Sequence, residues 1–398
     1  MSFTRTTIWR ATVGTVAAVA LMMNCLEFLA ADAQEPPQRK HRLIYNSDGM
    51  HIFKHKEPPM TPADVRSFVD EVAGTGVTTF AVCPNPSQNV AYPTRVGDML
   101  GEHLTPAQRK RVEKAKWDTT ERAAANVLAL VKAGHDPIGL VIERAREKGM
   151  EAFLTYRMNT LHVDRYKDSL RRSRFWQNHP QWRIDGGNSR LNFAVPEVRA
   201  HRLAQLREVC ERYVVDGLDL DFQRWPSYFP KGEGPQHLDT MTGFVRQIRQ
   251  MTGEVGAKRG RPILLSVRVR DRPARDRDAG LDPGRWAAEG LIDFVTISHF
   301  LSEGKLAHER FPLPVAEYRK LLPTQMPLYG SVSVSGAFHK ERTNDVYRKV
   351  ALRLWQDGAD GIMLFNFFAC RKRRVEPPFE LLNELGDPKK IRLGKGSQ

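Results

Sequence analysis

Eight times along the chain a short apolar run gives way to a longer stretch with apolar residues at helical spacing. Such alternation marks parallel β–α units, because parallel neighbours need a crossover long enough to hold a helix. The runs fall at residues 42–47, 77–83, 151–157, 215–222, 262–269, 292–298, 326–332 and 361–366. Thr61-Pro62-Ala63-Asp64 opens a helix with an N-cap and a proline at its first position. Residues 126–148 carry Val127, Leu130, Val131, Ile138, Val141 and Ile142 at roughly helical spacing before Gly149, which predicts one long helix. Another starts at Pro196 and turns Leu203, Leu206, Val209, Cys210 and Tyr213 inward, and 239–251, 286–290, 315–322 and 344–357 complete the set. Strand then helix, eight times, predicts an α/β fold, a single-domain (β/α)8 TIM barrel over 42–388. The competing architecture, an open doubly wound sheet, would want a glycine-rich phosphate loop after the first strand, and the sequence has none there.

The ends differ from the rest. Arg5 and Arg10 precede an apolar run from Val13 to Met23, and Ala31-Asp32-Ala33 offers small residues before Gln34. The run is short of the roughly 20 residues a bilayer span takes. Residues 1–33 therefore predict a signal peptide cleaved near Ala33, and an exported protein, periplasmic or secreted, with no stable membrane insertion once it is removed. Residues 34–41 read as a flexible arm and 389–398 as a basic tail. With Cys25 removed, Cys83, Cys210 and Cys370 remain; their wide spacing fits no zinc motif, and a Cys83–Cys370 bridge near two strand ends stays open.

The formal net charge of +15 raises the question of nucleic acid. The basic residues are scattered, without an aromatic–basic stripe or a helix-turn-helix pattern, so a nucleic-acid partner is not expected. In an exported protein such a surface is expected to meet acidic glycans, anionic lipid or nothing specific.

Barrel enzymes carry their chemistry at the C-terminal ends of the strands. There the fourth run, Val215 to Phe222, continuing to Pro226, is the most informative. Side chains alternate along a strand, so Leu218, Leu220 and Phe222 face the helices while Asp219, Asp221 and Gln223 face the barrel interior. Two interior carboxylates two residues apart are costly to ionise together. They serve either as proton donor and charge stabiliser or as loop anchors for arginines such as Arg157 or Arg268. Two carboxyl groups must flank a glycosidic bond for its hydrolysis. Asp48 after the first strand is the best-placed partner; Asp98 lies in a long loop, and Asp271 sits among arginines as an ion-paired group. No strand end carries a Glu.

The remaining strand-end residues fit a sugar pocket. Arg157, Asn159 and His162 follow the third strand, Arg224 and Trp225 the fourth, Arg268 lies on the fifth, and His299 and Asn366 end the sixth and eighth. Arginine forks onto hydroxyls or a uronate carboxylate, and a tryptophan offers a stacking face for a pyranose. Residues 84–150 separate the second and third strands, and Asn85, Asn89, Tyr92 and Arg95 in this excursion suit a polyol. Asp48, Asp219, Asp221 and His162 lack His-x-His or His-x-Glu spacing, so no metal and no cofactor is expected.

The segment Asp216-Gly217-Leu218-Asp219-Leu220-Asp221-Phe222-Gln223 resembles the fourth strand of family 18 glycoside hydrolases and chitinase-like barrels, whose pattern is Asp-Gly-x-Asp-x-Asp-x-Glu. Asp216, Asp219 and Asp221 match it, and Gln223 stands where the family has its acid Glu. An amide cannot donate a proton as a general acid; in this the chain is similar to the non-catalytic, lectin-like members. Across nearly the whole mature chain it also resembles the glycosyl-hydrolase-like barrel proteins, family 10 of that grouping. The residues carrying this are Tyr45-Asn46-Ser47-Asp48-Gly49, Tyr156-Arg157-Met158-Asn159, the run from Asp219 to Pro226, and the run from Gly358 to Asn366. That resemblance implies a catalytic aspartate at Asp221, supported by Asp219.

Three functions compete on these grounds. The first is a glycoside hydrolase acting on a poly- or oligosaccharide, with Asp221 as acid or nucleophile, Asp219 tuning it and Asp48 opposite. The second is a carbohydrate-binding barrel without turnover, motivated by Gln223. The third, ranked last, is a metal-dependent hydrolase such as a deacetylase.

Overall fold

The computed structural model describes residues 39–160, 168–184, 190–298, 313–333 and 344–393. Eight parallel strands close into a barrel in sequence order: β1 (Arg42–Ser47), β2 (Thr79–Val82), β3 (Glu151–Arg157), β4 (Gly217–Asp221), β5 (Leu264–Val269), β6 (Phe294–Ile297), β7 (Leu328–Ser333) and β8 (Gly361–Phe365). β8 pairs back onto β1, so no strand edge is left open. The expected single-domain (β/α)8 barrel is the fold.

Strand periodicity sorts the apolar residues into two cores. Leu43, Tyr45, Phe80, Val82, Leu154, Leu218, Leu220 and Val267 join the helices in the outer core. Ile44, Ala81, Phe153, Phe294, Tyr329 and Met363 fill the barrel itself. Below that plug, Arg42 forks onto Glu151 with two bonds of 2.9 Å and donates to the Tyr329 hydroxyl at 2.9 Å, closing the N-terminal end. Above it lies a buried polar layer of Asn46, Thr155, Asp219, Ser266, Thr296 and Ser331.

β4 begins on glycine because a β-carbon at Gly217 would stand 2.1 Å from Phe153 Cε1. Gly217→Ala is expected to cost about 1–3 kcal/mol, the usual result of overpacking, and thermal unfolding would show it; an unchanged melting temperature would mean that the Phe153 ring yields freely.

Five strands start two residues later than their apolar runs suggest. Residues just ahead of the strands hold the barrel floor. Asp216, Asp293 and Asp360, each just ahead of an even-numbered strand, accept the backbone N–H of Ala152 (2.8 Å), Leu265 (2.6 Å) and Leu328 (3.0 Å) on the preceding strand. Each is also ion-paired to an arginine, Arg261, Arg249 and Arg319 respectively. Asp216, part of the fourth-strand motif, thus belongs to the barrel's floor.

The single helix expected over 126–148 is two, Thr120–Lys132 and Pro137–Glu147. Gly134 turns the chain at φ 84°, and the Asp136 carboxylate accepts from the N–H of Ile138 (3.1 Å) and Gly139 (3.0 Å), capping the second helix ahead of Pro137. Cys83, Cys210 and Cys370 are all buried and outside any disulfide, so the Cys83–Cys370 bridge does not form. Among the described residues no single helix is long and apolar enough to cross a membrane.

Candidate functional site at the C-terminal mouth

Register places three residues of neighbouring strands side by side at two levels. At the lower level Asp219 lies between Thr155 and Ser266; at the upper, Asp221 lies between Arg157 and Arg268. Asp219 accepts the Thr155 hydroxyl at 2.9 Å and the Ser266 hydroxyl at 2.8 Å. Burial, reinforced by the charge of Asp221 above it, pushes its carboxyl up to about 6. Asp221 accepts Arg268 Nη1 at 3.3 and 3.2 Å, and Oδ1 also takes the backbone N–H of Gln223 and Arg224, both at 3.1 Å. Arg268 is fully buried; it donates to Ser298 Oγ at 2.9 Å and lies 3.9 Å above the Phe365 ring. Asp219 and Asp221 are 2% and 1% exposed, so reactants reach them only from the strand ends.

Asp48 approaches from β1. It accepts the N–H of His51 at 3.0 Å and His51 Nδ1 at 3.3 Å, and Arg157 Nη2 stands 3.9 Å away. Burial opposes its ionisation, but the His51 hydrogen bond and the charges of Arg157 and Lys54 hold its carboxyl well below the ordinary range. His51 is stacked on Phe368 with centroids 3.5 Å apart, and burial pulls it down to about 4, so it stays neutral at pH 7. Asp48 and Asp221 thus flank Arg157 from two sides. His51 was not among the expected site residues; its signal in the sequence is the Asp48-x-x-His51 spacing at a helix start.

Several expected ligands of a sugar are occupied within the fold. Asn85 exchanges two hydrogen bonds with the backbone of Arg157, at 2.9 and 3.0 Å. Asn159 donates to the carbonyls of Leu191 and Ser227, both at 2.9 Å. In the long excursion, Asn89 donates to Leu170 O at 2.8 Å, while Tyr92 and the Arg95 backbone bond Glu208 on the Pro196–Arg212 helix. These residues brace loops against one another. Asp271 pairs with Arg275 at 3.0 Å, as expected of a carboxylate among arginines. His162 and His299 lie outside the described residues.

Other residues line the mouth. Gln223 is buried and its Oε1 has no hydrogen-bond partner among the described residues. Arg224 is half-buried, with its guanidinium 5.8 Å from both the Trp225 and Phe365 rings. Trp225 is 36% exposed. Trp225 and Asn366 adopt left-handed φ values of 55° and 58°. Non-glycine residues rarely do so, and such positions cluster where function demands them. Asp98, Glu102 and His103 bring ligand atoms within 4.8 Å of one another, but Asp98 is already taken by the Arg174 backbone N–H at 2.6 Å and Nε at 2.7 Å.

Asp276, after β5, carries no sequence signal because it sits in an arginine-rich stretch that reads as surface. It is fully buried, accepting the Tyr318 hydroxyl and the Arg270 N–H at 3.0 Å, and burial pushes its carboxyl up to about 7. In the unfolded chain it titrates near 3.8. Between about pH 4 and 7 the folded form therefore holds the extra proton, and stability falls as pH rises through that window. Asp276→Asn removes this dependence: relative to wild type, the variant gains stability from pH 4.5 to 7.5 by on the order of 2–4 kcal/mol. Urea unfolding at the two pH values measures it, and an equal difference at both would refute a raised carboxyl.

Comparison with known proteins follows from this geometry. No family model matches the chain, and no curated protein matches it. Solved structures do. The endo-β-1,4-mannanase from Thermotoga petrophila superposes with TM-score 0.52 at 10% identity, over 87% of this chain and 76% of that one. The PgaB (BpsB) glycoside hydrolase domain from Bordetella bronchiseptica gives 0.51 at 11% identity, over 87% and 99%. This chain folds as glycoside hydrolase barrels do. The α-L-fucosidase isoenzyme 2 from Paenibacillus thiaminolyticus gives 0.50 at 14% identity over 87% of this chain but 48% of its own, so this chain spans about half the fucosidase's length.

Proposed function

We propose that this chain is an exported glycoside hydrolase that cleaves a poly- or oligosaccharide at the C-terminal mouth of its barrel. The observation that carries the reading is the placement of Asp48 and Asp221 on either side of Arg157, since glycosidic hydrolysis needs two carboxyl groups across the scissile bond. Asp221 acts as acid or nucleophile and Asp48 as its counterpart. Asp219, whose carboxyl burial and the charge of Asp221 push up to about 6, lies one level below Asp221 and tunes it. Trp225 offers the stacking face, and Gln223 a hydrogen bond to a ring hydroxyl. The N-terminal segment directs export, in which case mass spectrometry of protein from the periplasm or medium finds Gln34 as its first residue.

The test is release of reducing ends from a panel of polysaccharides, followed across pH. Turnover with a limb near pH 6 that Asp219→Asn abolishes is the expected result. An unchanged profile removes Asp219 from the mechanism. Glycan binding with no turnover on any substrate favours the second reading, a carbohydrate-binding barrel, for which the neutral Gln223 and the arginine-clamped Asp221 are the supporting observations.

A further inference from the structure

The basic residues of the described mouth are not evenly spread. Arg157 on β3 and Arg268 on β5 stand on either side of Asp221 at the strand ends, and Arg224, just after β4, donates its backbone N–H to Asp221. Burial, and then the opposing charges of Arg157 and Arg268, pull the Arg224 guanidinium down to about 9. Arg157 is buried, donates Nη1 to the Pro86 carbonyl, and leaves Nη2 without a hydrogen-bond partner among the described residues, with Asp48 3.9 Å away. Further out, Lys54 after β1 is ion-paired to Asp118 at 3.7 Å and is opposed by the charges of Arg171 after β3 and Lys372 after β8. Five strand ends thus send cations to one face, where Asp48, Asp118, Asp219 and Asp221 meet them.

Holding like charges together in a low-dielectric site costs stability unless a ligand of opposite sign completes it. We infer that the sugar bound here carries a negatively charged oxyanion substituent, a carboxylate or a sulfate ester, held by Arg157 and Arg224 beside Asp221. The inference rests on the glycosidase reading above and specifies its substrate class. A guanidinium presents two parallel N–H groups whose geometry matches such an oxyanion, whereas a neutral hydroxyl fills only one of them. Trp225, the exposed ring next to Arg224, would take the face of the same sugar.

The experiment compares polymers that differ only in charge: polygalacturonate against its methyl ester, and chondroitin sulfate against its chemically desulfated form. Binding to the full-length mature protein is measured by affinity electrophoresis, and turnover by reducing ends. The acidic member of one pair is expected to bind about tenfold tighter or more than its neutral counterpart, as one charge-assisted bidentate contact gives, and the pair that shows it identifies the oxyanion. Arg224→Gln should bring that ratio to within about twofold of unity. Lys258→Gln, an exposed cation at the end of the Leu238–Lys258 helix, should leave it intact, which separates a built site from the general attraction of a +15 protein. Equal binding within both pairs, or equal losses in the two variants, overturns the inference. Should neutral polymers be cleaved as well as acidic ones, the acidic substrate falls while the hydrolase reading stands. Should nothing on the panel be bound or cleaved, both fall.

Discussion

Asp221→Asn lowers turnover by about 10³-fold or more while the barrel remains folded. An amide of the same size keeps Oδ1 as acceptor for the N–H groups of Gln223 and Arg224, so the strand end holds its shape. It can neither ionise nor deliver a proton, and removal of a positioned acid or base costs about 10²–10⁴ in rate. Stability drops as well, because the buried Arg268 loses the carboxylate at 3.2 Å. kcat/KM on the best substrate, read beside circular dichroism, separates the two effects. A variant that turns over at the wild-type rate would take Asp221 out of the chemistry and leave it a loop anchor.

The second large effect is on stability alone. Arg268→Met is expected to cost about 3–5 kcal/mol, because it strips the buried Asp221 charge of the guanidinium hydrogen-bonded to it. The pair is buried on both sides, at 0% and 2% side-chain exposure, so water cannot make up the loss. The double variant Asp221→Asn, Arg268→Met removes both charges and should lose about 1–3 kcal/mol less than the two single losses added together, which is the coupling energy. Urea unfolding of the four proteins completes the cycle. Additive losses would mean that the two groups do not depend on each other, contrary to their geometry.

These two residues show how far the sequence reaches. The alternation along β4 gave the interior direction of Asp219 and Asp221 directly, because a two-residue period leaves no other choice once Leu218 and Leu220 face the helices. β1 and β3 match their runs residue for residue. The runs of β4 and β6 reach two residues too far because they take in the lead-in stretch where Asp216 and Asp293 brace the floor. Asn85 and Asn159 looked like sugar ligands because an amide that suits a hydroxyl suits a backbone peptide equally, and only the fold shows which it meets. Tyr92 and Glu208 lie more than a hundred residues apart, and no local pattern announces their contact. The same holds for Asp276 and Tyr318, 42 residues apart in the chain.

The measurement that bears most directly on carboxylate-driven hydrolysis is oxygen exchange. When a cleavable oligosaccharide is incubated in ¹⁸O-water and the products are weighed at once by mass spectrometry, the wild-type protein should place one ¹⁸O at the new reducing end, and Asp221→Asn should give no labelled product. Unlabelled wild-type products, or equal labelling by both proteins, would contradict it.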